Sequence, residues 1–290
     1  MRSTVPCREV DWGRVWDHRL LTHWERKGGR DSAQKWKGRE PALRYWRNAR
    51  EFQQGRIEMT IRGLAADSGS RALDIGSGPG VLTIPLARRV AHVTAVDAAA
   101  GMIEVLEEKA REQGLSNIRC VPKRWEEVDV SRDLVPPYDV VLASLCLDML
   151  DIRAAISKMQ QVCSRHLYLL WFAGEPSWEV LDRTLFPCVQ GIPYAALPKC
   201  ELLIRVLRQM GIRPDIAILP YLHVDRFATL DEAVEHFRRR YAVPPGAPGE
   251  AIRVCLSGRL RREGDALVLR SRATCLRLHW EAGEARKRTS

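Results

Sequence analysis

The sequence predicts an α/β protein built on a doubly wound, mostly parallel sheet, and two observations predict it. Between residues 71 and 172, short β-type runs alternate with helical runs, the pattern left by parallel strands joined through right-handed crossovers. The first of these strands also runs straight into a glycine-rich turn and then a helix, Leu73-Asp74-Ile75-Gly76-Ser77-Gly78-Pro79-Gly80. Glycines there permit a tight bend and bring bare backbone close to a ligand.

Taken in order, residues 11–62 read as helices. Trp12, Val15, Trp16, Leu20 and Trp24 recur at helical spacing and stop at Lys27-Gly28-Gly29-Arg30. A second helical stretch from Pro41 to Arg62 places Leu43, Trp46, Phe52, Ile57 and Ile61 on one side. The strand candidates that follow are Arg71–Ile75, His92–Val96, Asn117–Val121, Tyr138–Ala143 and His166–Phe172. Helical patterns separate them at Val81–Val90, Gly101–Gln113 and Asp151–Ser164, the last with Asp151 as N-cap. Pro85 suits the first turn of its helix, where a missing N–H costs little.

Beyond the fifth strand, Gly174 to Pro198 reads as a connection bearing prolines and aromatic residues. A helix then runs to about Met210 and ends at Gly211, and a sixth strand follows at Asp215–Leu219. Leu230–Tyr241 is helical and leads into a Pro/Gly loop at 243–249. Gly264-Asp265 starts an alternating strand from Ala266 to Trp280, expected to insert antiparallel beside its predecessor. The expectation is seven strands, an N-terminal helical cap over 1–62, and one domain over 63–290 with inserted segments at 174–199 and 225–262.

Composition narrows the class. The 290 residues are 46% hydrophobic and 28% charged, as in an ordinary globular protein. The longest apolar stretches, Val140 to Leu147 and Leu167 to Ala173, are strand-sized, well short of the roughly 18–20 residues of a membrane-spanning helix. Arg2, Arg8, Glu9 and Asp11 have no apolar run behind them, so no secretory signal is expected. The eight cysteines are scattered with no Cys-x-x-Cys pair, which fits free thiols in a reducing cytoplasm. Cys163-Ser-Arg-His166 has no further ligand cluster beside it, and no metal site is expected.

The net charge of +10 is unevenly placed. Residues 1–62 hold 15 Lys/Arg against 8 Asp/Glu, and residues 251–290 hold 10 against 4, while the centre carries 21 against 24. Basic flanks of this kind suit an anionic partner, RNA included, or simply a solvated arginine-rich surface.

The glycine turn carries the chemistry. Its second anchor is Asp97, which ends the strand Val93-Thr94-Ala95-Val96, 21 residues beyond Gly76. A carboxylate there can accept hydrogen bonds from both hydroxyls of a ribose. The dinucleotide fingerprint needs a third glycine at position 81 or, read from Gly78, at 83, and Val81 and Thr83 stand there. The chain offers G-x-G-x-G instead, which suits a nucleoside without a pyrophosphate.

At these residues the chain resembles the class I S-adenosylmethionine-dependent methyltransferases. Leu73–Gly80 with Asp97 is similar to their motif I and second-strand acid. Ala98 to Met102 and the fourth strand, Tyr138–Ser144, extend the likeness. Trp36 and the helix up to Phe52 resemble the N-terminal cap of the small-molecule members. The resemblance implies a Rossmann-like fold, S-adenosyl-L-methionine as cofactor, and Gly76, Ser77, Gly78 and Gly80 as its loop. It also implies Asp74 as the group that orients it, Asp97 at the ribose, and Ala98, Met102, Trp125 and Ser144 around it. Trp125 can equally be a packing residue at a helix start, since Lys123-Arg124 occupies the strand end where the family carries an acid.

The acceptor is less legible. Methyl transfer chiefly needs an acceptor lone pair held in line with the methyl, and a base only for some acceptors. Members that methylate adenine N6 or cytosine N4 carry Asn/Asp-Pro-Pro-Tyr/Phe after strand four. Ser144-Leu145-Cys146-Leu147-Asp148 stands there instead, which argues against that chemistry. Ligands of such sheets bind beyond the carboxyl ends of the strands, which brings forward Cys146, Asp148, Trp171, Phe172, Glu175, Tyr194, Tyr221 and His223, with Tyr45 and Trp46 from the cap. Asp148, His223 and Cys146 are the catalytic candidates, although Asp148 can instead cap a helix and nothing near Cys146 in sequence lowers its pKa. A small-molecule acceptor is the leading expectation, with RNA- or protein-directed methylation as the alternative.

Overall fold

The computed structural model describes residues 10–29, 36, 38–241, 243 and 249–283. It is an eight-stranded sheet with helices on both faces, in the order β3-β2-β1-β4-β5-β8-β6, with β7 paired to β8. The parallel strands are β1 (Arg71–Ile75), β2 (His92–Val96), β3 (Ile118–Val121), β4 (Tyr138–Ser144) and β5 (Cys163–Ala173). Their near-continuous apolar character, with Leu73, Ile75, Val93, Val140, Val141 and Leu169 at 0% exposure, is what a sheet covered on both faces requires. β6 (Asp215–Phe227) and β8 (Ala266–Glu281) complete the main sheet, β8 lying antiparallel between β5 and β6. The expected seventh strand is thus present and antiparallel. The eighth, β7 (Arg261–Glu263), is a three-residue partner folded back on β8 across Gly264-Asp265.

Helices α1 (Trp12–Arg26), α2 (Arg39–Phe52) and α3 (Gln54–Arg62) precede the sheet. α1 is capped by the Asp11 carboxylate, which accepts from the Arg14 N–H. Its fully buried Trp16 donates from Nε1 to the Met149 carbonyl at 3.2 Å. The stretch read as one helix from Pro41 to Arg62 breaks at Gln53, where φ is −117°.

The remaining helices are α4 (Thr83–Ala87), α5 (Ala100–Glu112), α6 (Val130–Asp133), α7 (Ile152–Val162), α8 (Ser177–Gln190), α9 (Cys200–Gln209), α10 (Leu230–Arg240) and α11 (Glu250–Ser257). α1 rests on α7 and α9, whereas α2 rests on α5 and β6. At the second seat a Cβ on Gly101 would fall 2.2 Å from the Gly38 carbonyl oxygen, so a glycine there permits the close approach of the two helices.

Two elements differ from expectation in ways that shape the site. The segment expected as a connection at 174–198 contains α8, which buries Leu181, Leu185 and Phe186 and carries Pro187 near its end. β6 was expected to stop at Leu219 but continues through Pro220 to Phe227. Proline is tolerated because β6 pairs only with β8 and lies at the sheet edge.

β5 ends at Ala173, opposite Thr274 of β8, while β6 and β8 stay paired on to Phe227 and Leu267. At about 3.3 Å per residue this arm, joined by β7 at its tip, overhangs the carboxyl edge of the parallel strands by roughly 20 Å. A separate apolar cluster holds the arm up, with Leu185 and Phe186 of α8, Phe237 of α10 and Ile252 of α11 packed on Phe227 and Leu269. The loop expected at 243–249 falls largely outside the described residues. Among the described helices none is long and apolar enough to cross a membrane.

Candidate functional site

β1 delivers the chain to a tight turn in which Gly76, Gly78 and Gly80 have φ of 65°, 55° and 88°. This left-handed region favours glycine at all three. Their surroundings differ, however. A Cβ on Gly80 would fall 2.4 Å from Leu106 of α5, so Gly80 permits helix packing, whereas a Cβ on Gly78 would meet nothing within 4 Å. Gly78 therefore presents bare backbone to open space.

Asp97, at the end of β2, closes the turn. Its Oδ2 accepts from the Gly78 N–H and its Oδ1 from the Ala99 N–H, both at 2.8 Å. Each oxygen keeps a lone pair for a further donor, as a pair of ribose hydroxyls would provide. Burial pushes the Asp97 carboxyl up, against the lowering effect of these two backbone donors. Asp74, 1% exposed, accepts from the Thr83 hydroxyl at 2.6 Å and so ties the end of β1 to α4. Burial lifts its carboxyl to about 7; the Thr83 bond opposes this and the Asp97 charge adds to it.

The turn opens into a cavity of about 390 Å³. At this end Ser77, Ala98, Met102, Trp125 and Ser144 join the loop in lining it. Ser77 is buried, and its Oγ has no hydrogen-bond partner in the chain. A buried hydroxyl left unsatisfied costs free energy that a ligand can return. With Gly78 facing open space and the free lone pairs of Asp97, these residues fit an adenosyl cofactor. Met102 is buried among Ala42, Ala99 and Val105 with Trp36 against them, and Ala98 is exposed. Trp125 is 2% exposed, and its Nε1 donates to the Ala155 carbonyl of α7 at 3.0 Å. That bond gives Trp125 a packing duty whatever its outer edge faces.

The same cavity gathers several further sequence candidates. Phe172, Trp178 and Tyr221 form a mutually edge-to-face aromatic wall, with ring centroids 5.0, 5.1 and 5.7 Å apart. Tyr221, His223 and Asp225 line the cavity together because alternate residues of a strand share a face, and these three sit on the overhanging part of β6. His223 Nε2 lies 3.1 Å from Asp225 Oδ1. Burial pushes the Asp225 carboxyl up, but the His223 bond and the charges of His223, His236 and Arg240 outweigh it and hold it low.

Tyr194 lines the same space, edge-on to His23, with the Lys27 ammonium 5.7 Å above its ring. Burial drives the His23 imidazole down to about 4, so it is neutral, and its Nδ1 lies 2.6 Å from the Ala195 carbonyl.

Trp171, Tyr45, Cys146 and Asp148 also line the cavity, whereas Trp46 and Glu175 do not. Trp46 packs on the sheet, and Glu175 pairs outward with Arg183 at 2.7 Å. The Cys146 thiol donates to the Ile75 carbonyl at 3.0 Å. Burial, with the nearby charges of Asp148, Asp74 and Asp97, pushes its pKa well above the ordinary value, so the thiol stays protonated.

Several lining residues escaped the sequence reading. Asp182 of α8 takes two bonds from Arg240 of α10, at 2.9 and 3.0 Å, and one from the Tyr241 hydroxyl at 2.7 Å. Glu179 pairs with Lys199. Arg56 of α3 is 3% exposed and stacks over Tyr221, its guanidinium carbon 5.6 Å from the ring centroid. The amphipathic spacing of Leu181, Leu185 and Val189 was the available signal for α8. No local signal marks Arg56.

Residues 72–166 match the methyltransferase-domain family. That stretch, about a third of the chain, is a methyltransferase domain. The cofactor of this family is S-adenosylmethionine, and the loop just described fits it. Over 119 residues the chain is 34% identical to the ubiquinone biosynthesis O-methyltransferase of Xylella fastidiosa (strain 9a5c), covering 41% of this chain and 44% of that one. Over 86 residues it is 36% identical to the ribosomal RNA small subunit methyltransferase G of Yersinia enterocolitica, covering 29% and 40%. The chain spans about half the length of the curated relatives it matches. A crystallised Bacillus halodurans C-125 protein assigned as a methyltransferase superposes with a TM-score of 0.50 at 14% identity, over 78% of this chain and 98% of that one. This last likeness concerns the fold.

Proposed function

We propose that the protein transfers a methyl group from S-adenosylmethionine to a small-molecule acceptor held inside the cavity. One observation carries this reading: the motif I loop and the aromatic wall of Phe172, Trp178 and Tyr221 line a single cavity, whose volume is in the range of small-ligand sites. The helices of residues 1–62 act in this reading as a cap, and the arm of β6 and β8 as the opposite wall.

The cofactor, when bound, supplies a methyl already activated on a sulfonium. The remaining work belongs to the chain. Gly76 to Gly80, Ser77 and Asp97 hold the nucleoside, while the aromatic wall orients the acceptor and excludes water. His223 is the proposed proton acceptor. With Nε2–H donating to Asp225, the ring is fixed in one tautomer and Nδ1 offers its lone pair.

The exposed basic residues Arg259, Arg261 and Arg262 offer an alternative, an RNA-directed enzyme, and one relative is named for ribosomal RNA methylation. None of the three lines the cavity, which favours the small-molecule reading. Incubation with methyl-labelled S-adenosylmethionine and a cell extract, followed by size separation, tests it. Label in the fraction below about 1 kDa is expected. Label confined to RNA or protein overturns it.

A further inference from the structure

Among the described residues, most positive charges around the cavity are paired with carboxylates or lie near them. Arg240 is held by Asp182, Lys199 by Glu179 and Lys123 by Asp133, while Lys27 lies within Coulombic reach of Asp182 and Glu179. Arg56 is held differently. Its Nε and Nη2 donate to the neutral Gln53 Oε1 at 3.1 and 2.8 Å, and its buried Nη1 has no partner. Among the described residues no carboxylate forms an ion pair with it. Burying a guanidinium without a counter-charge is costly, and the fold retains one at 3% exposure on the cavity wall.

Its neighbours indicate what belongs there. The guanidinium lies over Tyr221, itself part of the aromatic wall, and its charge reaches the Tyr45 hydroxyl, which is also within reach of Cys146 beside the glycine loop. Through Tyr221, Arg56 belongs with the aromatic wall, on the acceptor's side in the proposed reading. One free cationic edge matches a singly charged planar anion better than a dianion, which would call for a second cation.

We propose that Arg56 anchors a carboxylate on the methyl acceptor, whose planar or aromatic body lies against Phe172, Trp178 and Tyr221. This inference rests on the methyl-transfer reading of the cavity. The same guanidinium chemistry would also suit the carboxylate of the cofactor's amino acid moiety, so the experiment separates the two sources.

Calorimetric titration of the whole chain with S-adenosylhomocysteine comes first, followed by benzoate and its neutral isostere benzamide titrated into that complex. The expected result is that benzoate binds at least tenfold more tightly than benzamide. Arg56→Gln should abolish that preference, Arg56→Lys should retain part of it, and both should bind S-adenosylhomocysteine within about twofold of the parent. Equal binding of benzoate and benzamide by the parent protein overturns the proposal without needing any variant to fold. So does an Arg56→Gln protein that loses S-adenosylhomocysteine affinity but not 5′-methylthioadenosine affinity, because Arg56 would then hold the cofactor's carboxylate. If the parent protein fails to bind S-adenosylhomocysteine at all, the methyl-transfer reading falls, and this inference with it.

Discussion

The Cys146 side chain lies directly over Gly76, so close that a Cβ at position 76 would fall 2.2 Å from the Cys146 Cβ and 2.6 Å from its Sγ. The loop after β4 thus presses on the loop after β1, and both line the cavity. Gly76→Ala must absorb both this clash and a φ of 65°. A loss of about 2–4 kcal/mol is expected from the two together. Gly78→Ala has open space for its Cβ and should lose only about 1 kcal/mol, yet it places a methyl where the cofactor approaches. Calorimetric melting and S-adenosylhomocysteine titration should therefore separate them. Position 76 should fail mainly in stability and position 78 mainly in binding.

Asp97 and Asp148 both line the cavity, and Asp97 accepts from the Gly78 N–H of the glycine loop and from the Ala99 N–H beyond β2. Asp97→Ala removes the carboxylate and also leaves the Gly78 N–H without its partner. S-adenosylhomocysteine affinity is expected to fall about 100-fold, against less than threefold for Asp148→Ala. Equal losses in the two titrations would sink the assignment of Asp97 to the ribose.

Asp74 makes stability depend on pH in a direction opposite to that of a surface carboxylate. Its carboxyl is lifted to about 7 by burial, so the folded chain holds this proton more tightly than the unfolded chain does. The stabilisation is complete below the unfolded value near 4 and is lost as pH rises to about 7, after which it is constant. Its full size is about 4 kcal/mol. Asp74→Asn cannot titrate and should lose less melting temperature than the parent between pH 5 and pH 8. Parallel decline of the two curves would show that Asp74 does not drive the dependence.

How much of this was readable in advance depended on how local each signal was. Gly76, Gly78, Gly80 and Asp97 announced the turn because a strand-end glycine turn is a local backbone requirement; Gly76, Gly78 and Asp97 line the cavity, and Gly80 packs against Leu106. The extent of β6 was hidden by Pro220, which stops a strand only where its N–H is needed, and strand position in the sheet is not a local property. Pro187 concealed α8 in the same way. The pairing of Asp182 with Arg240 joins residues 58 apart, and the burial of Arg56 depends on β6 folding over α3. Neither leaves any trace in local spacing.

His223 and Asp225 offer a test of proton transfer. If His223 takes the acceptor's proton, His223→Gln should lower kcat by about 10²–10⁴-fold while S-adenosylhomocysteine affinity holds. Asp225→Asn should lower kcat less, because it disturbs the tautomer without removing the base. Labelled turnover of the acceptor fraction at saturating cofactor measures both. A His223→Gln protein of undiminished kcat would leave the acceptor to lose its proton unaided.

Trp125 separates a packing duty from a cofactor contact. Its Nε1 bond to Ala155 fixes the turn after β3 on α7, and the Lys158 ammonium reinforces the junction, lying 5.3 Å above the ring and donating to the Trp125 carbonyl at 2.9 Å. Trp125→Phe keeps most of the ring but loses the N–H donor and some volume. Stability should fall by about 1–2 kcal/mol, a drop of several degrees in melting temperature for a chain of this size. S-adenosylhomocysteine affinity should stay within threefold, because the ring's strongest tie runs to α7 and not into the cavity. A tenfold loss of affinity at unchanged melting temperature would reverse that order and make the indole face part of the adenine site.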